Sequence, residues 1–332
     1  MNLPQTMTLI EITAPGGPEV LQPRQVPMPT AGTGELLIRV HAAGVNRPDV
    51  IQRAGKYPMK PGMSPIPGLE VAGEVVAIGP GPCDFTVGDR VCALTNGGGY
   101  AQYCVAPVGQ TLPIPEHMDW VHAAAVPETF FTVWANLFDM GGASKGQRAL
   151  IHGGTSGIGT TALMLCREFG VRAFATAGSE EKCAAIRKLG AEAINYRDQD
   201  FAQVIQEKTA GKGVNVILDI MGGSYLNPNI AALGMEGRLV MLGFLGGAHA
   251  KDVDLLAIMG KRATITGSLM RSRTKEEKAA IADQLREYVW PVLAAGRCLP
   301  MIDKVYPLND AAQAHTRMEA GDHIGKIVLR VD

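Results

Sequence analysis

The run His152-Gly-Gly-Thr-Ser-Gly-Ile-Gly159 follows a short apolar stretch, Arg148-Ala-Leu-Ile-His152. It precedes a helical run from Thr160 to Phe169 that stops at Gly170. Between a strand and a helix, glycines let the backbone turn sharply and approach a pyrophosphate closely. The first-turn N–H groups and the positive end of the helix dipole then face the phosphates. The spacing is G-x-x-G-x-G, not G-x-G-x-x-G, so the flanking strand and helix carry the reading as much as the glycines do. A tight turn at a crowded junction is the plain alternative, and the strand–helix alternation downstream argues against it. Gly154, Thr155, Ser156, Gly157 and Ile158 are therefore candidate contacts of a dinucleotide.

The next strand, Val171 to Ala177, bears on which dinucleotide. An NAD site places Asp or Glu about 20 residues beyond the glycines, where it holds the ribose hydroxyls. Here the segment reads Ala175-Thr-Ala-Gly-Ser179, with no acid. Gly178 leaves space, Ser179 can donate a hydrogen bond, and Lys182 can supply positive charge to a 2′-phosphate. Tyr196 can add a hydroxyl or stack on the adenine. The plain reading of Lys182 is an exposed helix lysine beside Glu180 and Glu181. The pattern favours NADPH (NADP) as cofactor.

The elements that must position these residues change character along the chain. From about Met7 to Leu112 the sequence is rich in Gly and Pro, with short runs such as Glu35–Val40, Val71–Ala77 and Asp89–Ala93. This predicts an antiparallel, barrel-like domain of short strands. From about Val121 apolar strands alternate with helices: 148–152, 171–177, 214–220, 238–243 and 263–267. Such alternation implies a parallel sheet covered on both faces. A long helix, Lys275 to about Ala295, leads to a tail ending in the strand Gly325–Val331. The tail is too short to be its own domain and is expected to return to the first.

With 332 residues the chain is expected to fold as two domains. Net charge is −1 with no block of one sign, which does not suggest nucleic-acid binding. No apolar stretch is long enough to span a bilayer, and the first fifteen residues lack the charged start and apolar run of a signal peptide, so the expectation is no membrane and a cytoplasmic location. Six cysteines, at 83, 92, 104, 166, 183 and 298, form no C-x-x-C pair and read as reduced thiols.

The segment Pro67-Gly-Leu-Glu-Val-Ala-Gly-Glu-Val-Val-Ala-Ile-Gly-Pro-Gly81, followed by Phe85-Thr-Val-Gly-Asp-Arg-Val91, resembles the signature of the quinone oxidoreductase (zeta-crystallin-like) branch of the zinc-free medium-chain dehydrogenases/reductases. Val45-Asn-Arg-Pro-Asp-Val-Ile-Gln-Arg-Ala-Gly-Lys-Tyr57 resembles that branch's active-site segment. Ile220–Tyr225, Leu269–Arg273 and Ile324–Val328 add to the match and resemble the tumour-suppressor-inducible type. The resemblance covers essentially the whole chain. It implies an α/β fold: a GroES-like β-barrel catalytic domain at 1–124 and 267–332, interrupted by a Rossmann doubly wound NADP-binding domain at 125–266, with the catalytic cleft between them.

The same resemblance speaks to metal. Zinc-dependent relatives place ligands where this chain has Asn46 and Leu69. An amide is a poor zinc ligand and leucine is none. The four-Cys structural lobe is also missing, so no metal is expected. Without a Lewis acid, alcohol oxidation is disfavoured, whereas a quinone accepts hydride with hydrogen-bond help alone. The resemblance makes Asn46, Tyr57 and Thr132 the candidate catalytic residues. It places Asn46 and Thr132 at the nicotinamide and adds Gly243, Phe244, Ser268 and Leu269 to the cofactor contacts. Plain alternatives are a turn tyrosine before Pro58 and a helix hydroxyl bonded to its own backbone.

The leading expectation is an NADPH-dependent reductase of a small-molecule quinone. The alternatives are a zinc-free enone or enoyl reductase and an NADPH-binding protein with negligible turnover. A homodimer is expected through the Rossmann-domain edge strand Ala263–Gly267, with Thr264 or Thr266 supplying an edge N–H, depending on register.

Overall fold

A computed structural model describes residues 3–331. The chain forms two compact units. One comprises the residues up to Phe131 together with those from Arg273 onward; the other is Thr132–Ser272. Both divisions fall a few residues beyond the expected 124/125 and 266/267. The first lies inside a helix, Pro127–Val133.

The first unit opens with strands kept short by Gly and Pro: β1 (Thr6–Ile12), β2 (Leu21–Pro27), β3 (Glu35–Val45), β4 (Glu70–Ile78), β5 (Arg90–Leu94), β6 (Tyr103–Pro107) and β7 (Thr111–Pro113). β1 and β2 form an antiparallel ribbon. β3 is the spine of the larger sheet and pairs antiparallel with β4 and β6. Ile10, Leu36, Ile38, Val75 and Val91 form its core with almost no exposure. Each such side chain contributes about 1.5–3 kcal/mol by leaving water.

The second unit carries six parallel strands: β8 (Arg148–Ile151), β9 (Arg172–Ala177), β10 (Glu192–Asn195), β11 (Val214–Asp219), β12 (Leu233–Met241) and β13 (Thr264–Gly267). Their order is β10-β9-β8-β11-β12-β13. The connections wind outward in opposite directions from the β8–β11 pair, which makes a topological switch point at the carboxyl ends of those strands. The apolar runs Ala149-Leu150-Ile151 and Val216-Ile217-Leu218 are fully buried, as a sheet covered on both faces requires.

The tail returns to the first unit as β14 (Ile302–Pro307) and β15 (Lys326–Arg330). β15 runs antiparallel to β3, with Ile327 opposite Val45, while β14 and β15 pair in parallel. β4 begins at Glu70, and its Val71 lies opposite Ala43. These two registers bring Asn46, Glu70 and Lys326 to one end of the sheet.

The expected continuous helix 275–295 is interrupted. It runs as Lys275–Gln284, widens into a π turn over Leu285–Val289, and resumes as Trp290–Ala294. Pro291 has no N–H for its share of the α-helical ladder and would crowd the preceding turn; the wide turn just before it absorbs the mismatch. Among the described residues no helix is long and apolar enough to cross a membrane.

Candidate active site

In the second unit the glycine loop sits at the switch point. Ser156 caps the helix Gly157–Glu168, its Oγ accepting the N–H of Gly159 at 3.0 Å. A Cβ on Gly154 would stand 2.6 Å from the Cβ of Ala175, and one on Gly159 would overlap the carbonyl of Gly153. Loop and helix therefore close as tightly as a pyrophosphate cradle needs. His152 fixes the loop from below. Burial lowers its pKa to about 4, so the ring is neutral. Its Nε2–H donates to Asn229 Oδ1 at 2.7 Å, which leaves Nδ1 to accept from the Thr176 hydroxyl at 3.0 Å. Thr155 is buried within the same loop.

At the end of β9, Gly178 lies against Tyr196: a Cβ there would come 2.5 Å from the tyrosine oxygen. Ser179 caps the helix Glu180–Lys188, accepting the N–H of Lys182 at 3.3 Å. Its oxygen thus already serves the backbone, and its hydroxyl proton remains for a ligand. Glu180 pairs with Arg187. The structure brings Gly178, Ser179, Lys182 and Tyr196 together at one strand end.

Thr132 is buried, and its Oγ1 has no hydrogen-bond partner. The expected alternative of a hydroxyl bonded to its own helix is therefore not what the structure shows. Its carbonyl accepts from Asn136 Nδ2 at 2.8 Å, and Asn136 Oδ1 accepts from the Ser268 hydroxyl at 2.7 Å. After Val133 the helix widens into a π turn over Trp134–Met140, a feature frequent at functional sites. Leu269 follows Ser268, and Gly243 and Phe244 follow β12; both apolar side chains are exposed. An orphaned buried hydroxyl and a glycine cradle both fit a bound dinucleotide.

In the first unit Asn46 follows β3 and is the N-cap residue of the helix Arg47–Arg53. Its Nδ2 donates to Glu70 Oε1 at 2.9 Å, and its Oδ1 accepts from Lys326 Nζ at 2.6 Å. Lys326 Nζ also donates to Glu70 Oε1 at 2.6 Å and to the Val45 carbonyl at 3.1 Å. Glu70 and Lys326 are 0% and 4% exposed. A side chain at Gly44 would overlap Glu70, so glycine there makes room for the carboxylate. Asp49 ties the two turns together, accepting the N–H of Asn46 and of Gly68, each at 2.9 Å.

Behind Asp49 runs a polarised chain. Arg53 Nη1 donates to His315 Nδ1 at 3.3 Å, His315 Nε2–H lies 3.0 Å from the Tyr100 oxygen, and Tyr100 donates to Asp49 Oδ2 at 3.4 Å. Burial, with Arg53 beside it, lowers the His315 pKa to about 3 and keeps the ring neutral. Tyr57 lies just beyond the turn that follows the helix, half-buried, its carbonyl accepting from the N–H of Met59.

Sequence reasoning missed Glu70, Glu128 and Lys326 as site residues. The available signal was a charged residue inside an otherwise apolar stretch, in Gly-Leu-Glu-Val-Ala, Val-Pro-Glu-Thr-Phe and Gly-Lys-Ile-Val. Zinc does not fit at Asn46 and Leu69. Both ends of the amide are committed to charged neighbours, and Leu69 is apolar and buried.

A family model described as an alcohol dehydrogenase GroES-like domain matches residues 32–116, and one described as a zinc-binding dehydrogenase matches residues 157–285. The quinone oxidoreductase of Rattus norvegicus is 33% identical over 327 residues, 97% of each chain. That of Sus scrofa is 34% identical over the same length and coverage. Among solved structures, a mycobacterial protein complexed with NADPH has a TM-score of 0.86 at 31% identity, covering 98% of this chain and 99% of its own. An NAD-dependent alcohol dehydrogenase has a TM-score of 0.86 at 29% identity, covering 98% and 100%. The enoyl reductase CurK reaches 0.85 at 26% identity, covering 99% and 100%. The chain belongs to the quinone oxidoreductase branch of the medium-chain dehydrogenase/reductase superfamily, and is an oxidoreductase.

Proposed function

We propose that the protein reduces a small quinone with NADPH and without a metal. The observation that carries this reading is the closed set Asn46–Glu70–Lys326, which holds a fixed ammonium and amide where a Lewis acid would need open lone pairs. A quinone needs no such polarisation, only positioning and hydrogen bonds at its oxygens. A bound dihydronicotinamide would supply the hydride. Gly154, Thr155, Ser156, Gly157 and Ile158 would hold its pyrophosphate. Gly178, Ser179, Lys182 and Tyr196 would take the 2′-phosphate end, and the bare Thr132 hydroxyl, Ser268 and Leu269 the nicotinamide half. Gly243 and Phe244 would line the same cofactor, with Asn46 and Tyr57 at the substrate. The strand end without an acid supports NADPH over NADH. The likeness to an enoyl reductase favours enone or enoyl reduction as the second reading.

The proposal extends to a cytoplasmic homodimer. The cysteines are free thiols, suited to a reducing compartment. β13 is an edge strand. Ser268 donates its N–H to Met241 on β12, so Thr264 and Thr266, which share its side of the strand, face inward. The outward donors are Ile265 and Gly267, which corrects the expectation for the two threonines. Nearby, Leu255, Leu256 and Met259 are strongly exposed, an apolar patch that a second copy would cover.

Oxidation of NADPH and NADH, followed over ortho-quinones, para-quinones, enones and enoyl thioesters with and without chelator, tests the reading. Quinone turnover with NADPH, unchanged by chelation, is expected. Activity lost on chelation, stoichiometric zinc in the purified active protein, or turnover confined to enoyl thioesters would refute it.

A further inference from the structure

Glu128 stands in the first turn of the helix Pro127–Val133 and is 9% exposed. Its N–H donates to Glu70 Oε2 at 2.8 Å, while the other oxygen of Glu70 holds Asn46 and Lys326. Four charged side chains act on it: Glu70 from β4, Lys326 from β15, Asp49 from the helix Arg47–Arg53 and Lys278 from the helix Lys275–Gln284.

These charges are unevenly satisfied. Lys326 is bound directly to Glu70. Lys278 Nζ donates to Asn96 Oδ1 at 2.6 Å. Asp49 receives two backbone N–H groups and the Tyr100 hydroxyl. Among the described residues no donor reaches the carboxyl of Glu128. The carboxyl keeps little solvent contact and no protein donor, which is a costly place for a charge, and the group avoids that cost by keeping a proton. Burial, and after it the negative charge of Glu70, raise its pKa to about 8. Glu128 is therefore a neutral carboxylic acid at neutral pH, and its backbone N–H is joined through Glu70 to the amide of Asn46.

We infer that Glu128 is the proton donor of the reduction. The inference rests on the quinone-reductase reading above. The quinone takes a hydride, with both its electrons, from a dihydronicotinamide, which becomes the oxidised cofactor. The ring aromatises and one oxygen is left as the anion of a hydroquinone. The proton of Glu128 moves to that oxygen, an O–H bond forming there as the one on the carboxyl breaks. The carboxylate is reprotonated from water before the next turnover.

The test uses the full chain, a para-quinone and the variants Glu128→Gln and Glu128→Asp. In the wild type kcat falls as pH rises through about 8 and shows a solvent deuterium effect. Glu128→Gln, which mimics the shape of the protonated acid, lowers kcat by about 10²-fold, the usual scale for one general acid. It flattens the pH profile and leaves the Kd for NADPH unchanged; Glu128→Asp restores part of the rate. Independently of activity, the infrared carbonyl stretch of a protonated carboxylic acid is present in the wild type at pH 7 and missing in Glu128→Gln. A glutamine variant with wild-type kcat and pH profile, or a wild type without that band, would overturn the role of Glu128 and leave the quinone-reductase reading standing. A wild type that oxidises NADPH with no quinone would instead overturn the reading beneath it.

Discussion

Replacing Lys326 with Met tests whether the buried triad organises its end of the sheet. Methionine nearly matches the length of lysine, so the change removes charge and donors with little change in packing. Three acceptors lose their partner: Glu70 Oε1 and Asn46 Oδ1, each at 2.6 Å, and the Val45 carbonyl at 3.1 Å. The first carries a charge and is buried, and an uncompensated charge of that kind costs about 3–5 kcal/mol. Losing the two neutral acceptors' bonds costs about 1 kcal/mol each, partly relieved by relaxation. A total of about 5–6 kcal/mol after that relief corresponds to about 10⁴-fold in a local opening equilibrium. Hydrogen exchange read by mass spectrometry on peptides covering β3, β4 and β15 measures this. Adding Glu70→Gln removes the stranded charge while keeping an oxygen for the N–H of Glu128. The double variant should therefore be at least about 2 kcal/mol more stable than the sum of the single changes predicts. Additivity within about 0.5 kcal/mol, or a Lys326→Met cost below about 1 kcal/mol, would refute the view that the pair is one unit.

Glu128→Gln should alter the pH dependence of stability. The folded carboxyl keeps its proton up to about 8 against 4.5 in the reference state, so its contribution is fully present below 4.5 and is lost as pH rises towards 8. The variant escapes this loss and should gain on the wild type by about 3 kcal/mol at pH 7, read from denaturation at stepped pH; a constant gap across the window would contradict the raised pKa. Lys182→Ala should weaken NADPH by about tenfold and leave NADH unchanged, the scale of one charge-assisted contact; equal loss for both would remove Lys182 from the 2′-phosphate site. Leu256, 77% exposed, should be replaceable by Glu without loss of the monomer fold, yet the substitution should shift a dimer to monomers in light scattering. A wild-type monomer at micromolar concentration would end the dimer proposal.

Local physics made much of the molecule legible. The glycine loop can be read because small side chains between a strand and a helix are a short-range steric requirement, met within eight residues. The parallel sheet can be read because strands buried on both faces must be continuously apolar, and the strand Arg172–Ala177 ends without an acid whatever surrounds it. Other features depended on register between distant segments. Glu70 and Lys326 are 256 positions apart, and only the pairing of β3 with both β4 and β15 makes them an ion pair around Asn46. Glu128 reads as a first-turn helix acid until the fold buries it beside Glu70 without a donor. The edge donors could not be assigned to Ile265 and Gly267 until the Ser268–Met241 bond set the phase of β13. Periodicity determines which faces of a strand are apolar. Which charges meet, and which N–H groups remain outside the ladder, is decided when the strands find their partners.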